Sequence, residues 1–401
     1  MIEDIYLDPI YWLIFILAMA FFRAAVGFTA LDFKFIIGMY LSQYVAHLAL
    51  VFGLSSYLIF CTLFFAAFVA GYQGGVLIPN LVLIRGASQA VIDKRLVSIS
   101  KFILFAYYIW RIGSVPIWLG ALDLAARLQR QQENRALFFL GIVMVPLFVA
   151  FMYDCVRKGR VGWSDRLLIV VAALGSLSTG SKATILPLIL SYIGVSAYLG
   201  RRIPISPRVV AGIFLGVATI LLALLMYFPL LSPGEILDMM LYRVVANTDN
   251  LEYLYALDVA PGQYPYSGVV SFVPFLSKMF GAEIDYPYGV WLHGMRFADW
   301  TGFGPNAGFL VEQYGNLGWA GLLVGFGLGG LVRWTERLHG AFRVMVLSFS
   351  YTLLVESTVF FMSLFFCIFC VILAWGIAQL WPSRSDASDI HHDDPVVTAN
   401  V

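Results

Sequence analysis

Residues 304–332 read GPNAGFLVEQYGNLGWAGLLVGFGLGGLV and change from a polar to an apolar composition. The first half carries Glu312, Tyr314 and Asn316, whereas the second half is apolar apart from its glycines. An apolar stretch of about 20 residues is long enough to cross a bilayer. We therefore expect a transmembrane helix over residues 310–332, with polar side chains on its leading turns and a polar loop before it.

Small residues recur along this predicted helix at close to four-residue spacing. They are Gly318, Gly321, Gly325 and Gly329. Small residues at this spacing lie on one face of a helix and let a second helix approach closely in lipid. The pattern predicts a tight contact between this helix and another transmembrane helix.

The composition of the whole chain is that of an integral membrane protein. Hydrophobic residues make up 61% of the 401 residues and charged residues 12%, where a soluble domain has about 25% charged residues. The mean hydropathy is +0.84. The formal net charge of +1 gives no reason to expect a nucleic-acid partner.

Apolar segments of suitable length predict an all-α polytopic membrane protein with about eleven transmembrane helices. Residues 1–231 hold the first eight helices and residues 308–381 the last three. A large loop with short helices occupies residues 232–307, and residues 382–401 form an acidic tail that we expect to be disordered. The segment Val76–Val97 is interrupted by proline and charges, which predicts a separate helix on the membrane surface. The predicted spans lie near 6–24, 35–53, 55–72, 99–119, 136–154, 167–179, 183–199, 209–231, 310–332, 344–360 and 361–381.

The distribution of lysine and arginine predicts the orientation. Basic residues are concentrated in alternate loops, and the positive-inside rule assigns those loops to the cytoplasm. The N-terminus, the turn at 178–182 and the loop at 232–307 then lie on the outer face. One arginine, Arg111, falls inside a predicted span, where the cost of a buried charge predicts that it faces a partner or a cavity.

The turn Ser178-Thr179-Gly180-Ser181-Lys182 is a candidate anion site. Backbone N–H groups near Ser181 at the start of a helix, together with the charge of Lys182, suit a phosphate group. The alternative is that Lys182 extends to the lipid headgroups. The sequence supports both interpretations about equally.

The loop at 232–307 holds the other charged candidates. Arg243 follows a helix-start signal and can bind a pyrophosphate through its planar guanidinium; pairing with a nearby aspartate or a lipid headgroup is the alternative. His293, Arg296 and Asp299 form a second polar group, and a histidine near an aspartate is a simple general-base pair, although a structural pair fits equally well. Aromatic residues around them offer flat faces for sugar rings or form an interfacial belt.

Short motifs in the chain resemble the signature of Wzy-type O-antigen and oligosaccharide repeat-unit polymerases. They are Gly304-Pro305-Asn306, Glu312-x-Tyr314-x-Asn316-x-Gly318 with Gly321, and the turn Gly180-Ser181-Lys182. Leu317 stands where that family usually has phenylalanine. The resemblance covers roughly residues 167–332.

The resemblance implies a glycosyltransferase C-like fold in the bacterial inner membrane and substrates linked to undecaprenyl pyrophosphate. It implies transfer at the periplasmic face without a metal or other cofactor. A chain-length regulator is a further possible partner. Asn306, Glu312, Tyr314 and Asn316 would then contact sugar or shape the site.

Transfer from a lipid pyrophosphate builds negative charge on the leaving group, which fixed cations can stabilise. Arg243 and Lys182 are the first candidates for this role, followed by Arg296. Glu252, His293 and Asp299 are candidates for the base that receives the acceptor proton. An O-antigen ligase and a non-enzymatic flippase for lipid-linked oligosaccharides are the alternative functions.

Overall fold

The computed structural model describes most of the membrane-embedded chain and little of the loop at 232–307. The described residues are 8–28, 33–51, 56–75, 89–114, 140–141, 144–159, 161–177, 182–201, 288–298, 308–338 and 340–351, with 232, 234, 264, 366–370, 372–374 and 376. Most of these residues are helical, and no β-strand occurs among them. The all-α prediction is confirmed for this part of the chain.

The α-helices among the described residues are 8 to 26 residues long. Their bounds are α1 (Pro9–Val26), α2 (Phe33–Val51), α3 (Ser56–Gly74), α4 (Gln89–Ser114), α5 (Val145–Lys158), α6 (Trp163–Leu177), α7 (Lys182–Tyr198), α8 (Tyr288–Phe297), α9 (Phe309–Leu317), α10 (Gly321–Thr335) and α11 (Gly340–Leu347). Short 3₁₀ turns follow α9 at Gly318–Ala320 and α11 at Ser348–Tyr351.

Four described stretches are long and apolar enough to cross a membrane. They are Pro9–Val26, Ser56–Gly74, Ile92–Ser114 and Phe309–Thr335. All four coincide with predicted spans, so the membrane character of the chain agrees with its sequence. The total of about eleven spans and the side of the membrane on which each loop lies stay predictions.

The prediction of a separate surface helix at Val76–Val97 is wrong for the residues that the structure describes there. Gln89–Ser114 is one continuous helix of 26 residues. One of the charges that interrupt its hydropathy has a tertiary partner. Asp93 is buried and its Oδ1 accepts a hydrogen bond from the backbone N–H of Phe342, 3.3 Å away, at the start of α11. The helix thus continues through the charged positions, with its buried carboxylate hydrogen-bonded to another helix.

The structure bears in part on two other predictions about helix organisation. The apolar block 167–199 is divided into α6 and α7, which end and begin on either side of residues 178–181. A short helix, α8, lies within the predicted loop 232–307. The tail at 382–401 lies outside the described residues.

The chain divides into two compact units, and the first contains residues 1–77, 193–334 and 349–362. Here α10 packs on α3 through its glycines. A Cβ added at Gly325 would lie 3.1 Å from the carbonyl oxygen of Phe64, and one at Gly329 would overlap the carbonyl of Phe68. Only glycine allows backbones to approach so closely. The predicted glycine-mediated helix contact is confirmed.

The second unit contains residues 78–192, 335–348 and 363–401. An ionic network joins three of its helices. Lys101 Nζ on α4 lies 3.1 Å from Asp154 Oδ2 on α5 and 2.7 Å from Asp165 Oδ1 on α6. Lys158, one turn after Asp154, lies 2.7 Å from the same Oδ2 atom.

Arg111, near the end of α4, is buried within the second unit. It is 2% exposed, and its Nη1 donates a hydrogen bond of 2.6 Å to the hydroxyl of Tyr107. A Cβ added at Gly141 would lie 2.8 Å from both of these atoms. The prediction that Arg111 turns away from lipid towards a partner is confirmed.

Candidate functional site

The motif Glu312-x-Tyr314-x-Asn316 lies on α9, a short helix that folds back against α10. Gly318 ends α9 with φ 56° and ψ −135°, a conformation that favours glycine. A Cβ added at Gly321 would lie 3.1 Å from the carbonyl oxygen of Gln313, whereas eight residues of continuous helix span about 12 Å. The predicted span over 310–332 is therefore not one straight helix. By length and composition Phe309–Thr335 counts as a single span, but the geometry makes it a helical hairpin.

The short arm of this hairpin is buried along almost its whole length. All residues from Phe309 to Asn316 are buried, including Glu312 at 4% exposure and Gln313 at 0%. Polar groups out of water are costly unless they are hydrogen-bonded, and inside a membrane they mark functional sites by default. The motif residues are thus held inside the protein rather than displayed on its surface.

Two aromatic contacts fix the short arm in the first unit. The Tyr40 hydroxyl on α2 accepts a hydrogen bond of 3.3 Å from the backbone N–H of Leu310, which satisfies one of the open donors at a helix start. The Tyr314 ring packs on α3, with its centroid 4.6 Å from that of Tyr57 and 4.9 Å from that of Phe60. Tyr314 therefore anchors the helix.

The short helix α9 also meets α8. Glu312, Gly315 and Asn316 share one helix face, because residues three and four apart are neighbours. The Tyr288 hydroxyl, at the start of α8, rests on Gly315 so closely that a Cβ there would overlap it. Burial raises the pKa of Tyr288 well above its usual value, and the nearby Tyr57 and Glu312 raise it further. Tyr288 is therefore a neutral hydroxyl beside the motif.

Aromatic rings enclose this contact. Tyr264 lies 5.0 Å from Tyr288 and 5.4 Å from Trp291 between ring centroids, and Tyr288 and Trp291 are 5.8 Å apart. All three residues are buried. Such a cluster offers the apolar faces that sugar C–H groups contact.

Two polar atoms of α8 and α9 make no hydrogen bond with the described residues. They are the Tyr288 hydroxyl and Asn316 Oδ1, and both atoms are buried. A buried polar group without a partner costs about 1–3 kcal/mol. A ligand hydroxyl that bonded to either atom would recover this energy, so each atom is a candidate hydroxyl-binding group.

His293 and Arg296 lie farther along α8. The His293 ring is partly buried and its centroid is 4.9 Å from that of Phe297. Arg296 is exposed in the last helical turn, with its guanidinium carbon 5.3 Å from the centroid of the Phe297 ring. A cation in this position is stabilised by the negative end of the helix dipole. Arg296 therefore stabilises α8, whereas its binding of pyrophosphate stays a prediction.

Several predicted site residues lie outside the described part of the chain. These are Ser181, Arg243, Glu252, Asp299 and Asn306. Lys182 is the first residue of α7, as its predicted place at a helix start requires, but its side chain is not among those described. The structure thus brings together Glu312, Asn316 and the aromatic group of α8, and their relation to the other candidates stays a prediction.

The sequence predicted that the aromatic residues of the loop, which include Tyr288, stack on sugars or form an interfacial belt, and it did not identify Tyr40. The hydroxyl of Tyr288 gains importance only from Gly315, which is 27 residues away in the chain. Tyr40 is 270 residues from Leu310. Its spacing of four from Tyr44, inside a predicted span, was a signal for a polar helix face.

The motif lies at the end of the first unit opposite to a cluster of basic residues. At the far end, Lys34 Nζ is 5.6 Å and the Arg333 guanidinium carbon 5.4 Å from the centroid of the Tyr72 ring. Along α3, Tyr57 and Tyr72 are separated by about 22 Å at 1.5 Å per residue. If the basic end is cytoplasmic, as the positive-inside rule predicts, the motif lies towards the outer face.

No protein-family model, no curated protein and no solved structure matches this chain. Within the described residues there is also no group of three or more His, Cys, Asp or Glu side chains that could hold a metal ion. The function must therefore be argued from the chemistry of the site.

Proposed function

We propose that the chain is a membrane glycosyltransferase that polymerises oligosaccharide repeat units linked to undecaprenyl pyrophosphate. The observation that carries the proposal is the buried short helix α9, on which Gly315 meets the Tyr288 hydroxyl with Glu312 nearby, and which also carries the buried Asn316. Hydroxyl-binding groups next to a carboxylate, enclosed by aromatic rings, suit a sugar ring.

The proposed reaction moves the growing chain onto the next lipid-linked unit at the periplasmic face of the inner membrane. The bond between the reducing-end sugar carbon and its pyrophosphate oxygen breaks, and a bond from that carbon to the acceptor oxygen forms. The lipid pyrophosphate leaves with the electron pair. The acceptor hydroxyl gives its proton to a base, for which Glu252, His293 and Asp299 stay the candidates.

Glu312, Tyr288 and Asn316 would orient the acceptor sugar in this reaction. The carboxyl oxygens of Glu312 can accept hydrogen bonds from sugar hydroxyls, and the neutral phenol of Tyr288 can donate one. The cations Lys182, Arg243 and Arg296 would stabilise the leaving pyrophosphate. Orientation of two reactants accounts for a large part of the rate enhancement in group transfer.

A flippase for lipid-linked oligosaccharides is the second candidate, because broken helices with buried polar residues also line the binding sites of transporters. A deletion strain distinguishes the possibilities. Lipopolysaccharide with a single repeat unit on each core indicates a lost polymerase. Units retained on the cytoplasmic side indicate a lost flippase, and polymer accumulating on the lipid carrier indicates a lost ligase.

Complementation of that strain with Glu312→Gln tests the site. The substitution keeps the side-chain shape but replaces one carboxyl oxygen with an amide, so the acceptor sugar loses an orienting contact. We expect polymer formation to fall about a hundredfold, the loss that a misplaced reactant causes. The measurement is the ladder of polymer lengths on a lipopolysaccharide gel, at equal protein levels in the membrane. Glu336→Gln, beyond the end of α10, is the matched control and should keep the wild-type ladder. A wild-type ladder from Glu312→Gln would remove this residue from the mechanism.

A further inference from the structure

A cavity lies at the turn between α5 and α6, in the second unit and away from the motif helix in sequence. Gly159 ends α5 in a left-handed conformation, with φ 63° and ψ 2°. Two of the residues that line the turn are glycines. The lining residues are Gly159, Val161, Gly162, Arg166, Ile169 and Val170.

The charged group of this cavity is Arg166. Its Nε donates a hydrogen bond of 3.2 Å to the carbonyl oxygen of Val161, which fixes the exposed guanidinium at the turn. The adjacent carboxylate, Asp165, is buried and paired with Lys101 at 2.7 Å. Across the described residues, no carboxylate forms an ion pair with Arg166. A positive charge therefore remains at the edge of the cavity.

The other side of the cavity is apolar and continues along α6. Leu167 is 42% exposed, Val170 53% and Leu174 39%, and their spacing of three and four places them on one helix face. Trp163, at the start of α6, is 80% exposed. Tryptophan is enriched at the boundary between membrane and water. The cavity thus begins at an exposed charge and continues towards an exposed apolar face of α6.

We propose that this cavity binds an anionic glycerophospholipid, with the phosphate at Arg166 and an acyl chain along Ile169 and Val170. The planar fork of arginine binds two phosphate oxygens together. The predicted topology places the turn on the cytoplasmic side, where basic pockets at helix ends bind anionic headgroups. The site is independent of the proposed polymerase function.

Native mass spectrometry of the purified full-length chain tests the site. The protein in neutral detergent is titrated with dioleoylphosphatidylglycerol, dioleoylphosphatidylcholine or inorganic phosphate. We expect the first lipid adduct with phosphatidylglycerol to form at a lower concentration than that with phosphatidylcholine. Arg166→Ala should weaken phosphatidylglycerol binding about fivefold, the effect of one basic residue near a membrane surface.

Arg201→Ala is the matched control, because it removes an exposed arginine that follows α7 and does not line the cavity. It should bind phosphatidylglycerol like the wild type. Equal binding of phosphatidylglycerol by Arg166→Ala and the wild type would overturn the proposal. So would equal binding of the two lipids by the wild type, or displacement of phosphatidylglycerol by millimolar inorganic phosphate. The comparison of lipids on the wild type decides the matter even if the variant fails to fold.

Discussion

The close contact between α3 and α10 predicts that a side chain at Gly329 destabilises the protein. A Cβ at this position would overlap the carbonyl oxygen of Phe68 and would lie 2.7 Å from the backbone nitrogen of Tyr72. Both neighbours are backbone atoms of a helix, so no side-chain rotation can relieve the overlap. Gly329→Ala must therefore push α10 away from α3 by about 1 Å, which forfeits a quarter to a half of each atomic contact along the seam.

The same substitution at Gly327 provides the comparison. A Cβ there would meet nothing within 4 Å, so Gly327→Ala should only gain helix propensity, up to about 1 kcal/mol. Gly329→Ala gains the same propensity but adds overpacking that costs about 1–3 kcal/mol. The difference in free energy of unfolding between the two variants isolates the clash, and we expect it to be about 2 kcal/mol.

Thermal unfolding of the purified variants in one detergent is the suitable assay. The midpoint of Gly329→Ala should lie several degrees below that of Gly327→Ala, since about 2 kcal/mol shifts a domain by this amount. Equal midpoints would show that the helices separate without cost. The close backbone contact would then not be a source of stability, and the reasoning would be refuted.

Two further predictions concern the ionic network and the contact between α8 and α9. Lys101→Ala leaves Asp154 and Asp165 close together in a partly buried site and should cost about 2 kcal/mol of stability, whereas Lys158→Ala removes an exposed pair worth about 0.5 kcal/mol; the thermal midpoints of the two variants check this order. Gly315→Ala should displace the Tyr288 hydroxyl and reduce polymer formation more than tenfold while the protein stays in the membrane; a normal polymer ladder from this variant would show that the contact does not matter for function.

The prediction from sequence succeeded where one property decided the structure. Hydropathy located the helices, and four-residue glycine spacing identified the face of α10 that packs on α3. Burial of Arg111 followed from the cost of a charge in lipid. Each of these features depends on residues that are close together in the chain or share one helix face.

The features that sequence missed depend on distant partners or on one backbone angle. Charges near the start of α4 predicted a break, but Asp93 binds the start of α11 almost 250 residues later. Gly318 looks like the other glycines of its run, and only its positive φ separates the motif helix from α10. Hydropathy predicts neither the partner of Asp93 nor the backbone angle of Gly318, because it averages over neighbouring residues and does not depend on backbone conformation.

The hairpin of α9 and α10 connects the candidate site to the glycine seam, which is the contact of Gly325 and Gly329 with α3. Gly321 approaches the carbonyl of Gln313 on α9 and also the Phe60 ring on α3, each at 3.1 Å from an added Cβ. The position of α9 is therefore set by how closely α10 lies against α3. We expect a movement of about 1 Å there to displace Glu312, and under the proposed function a displacement of this size would reduce group transfer about a hundredfold. We infer that the seam holds the carboxylate in place, so that substitutions at its glycines lower activity together with stability.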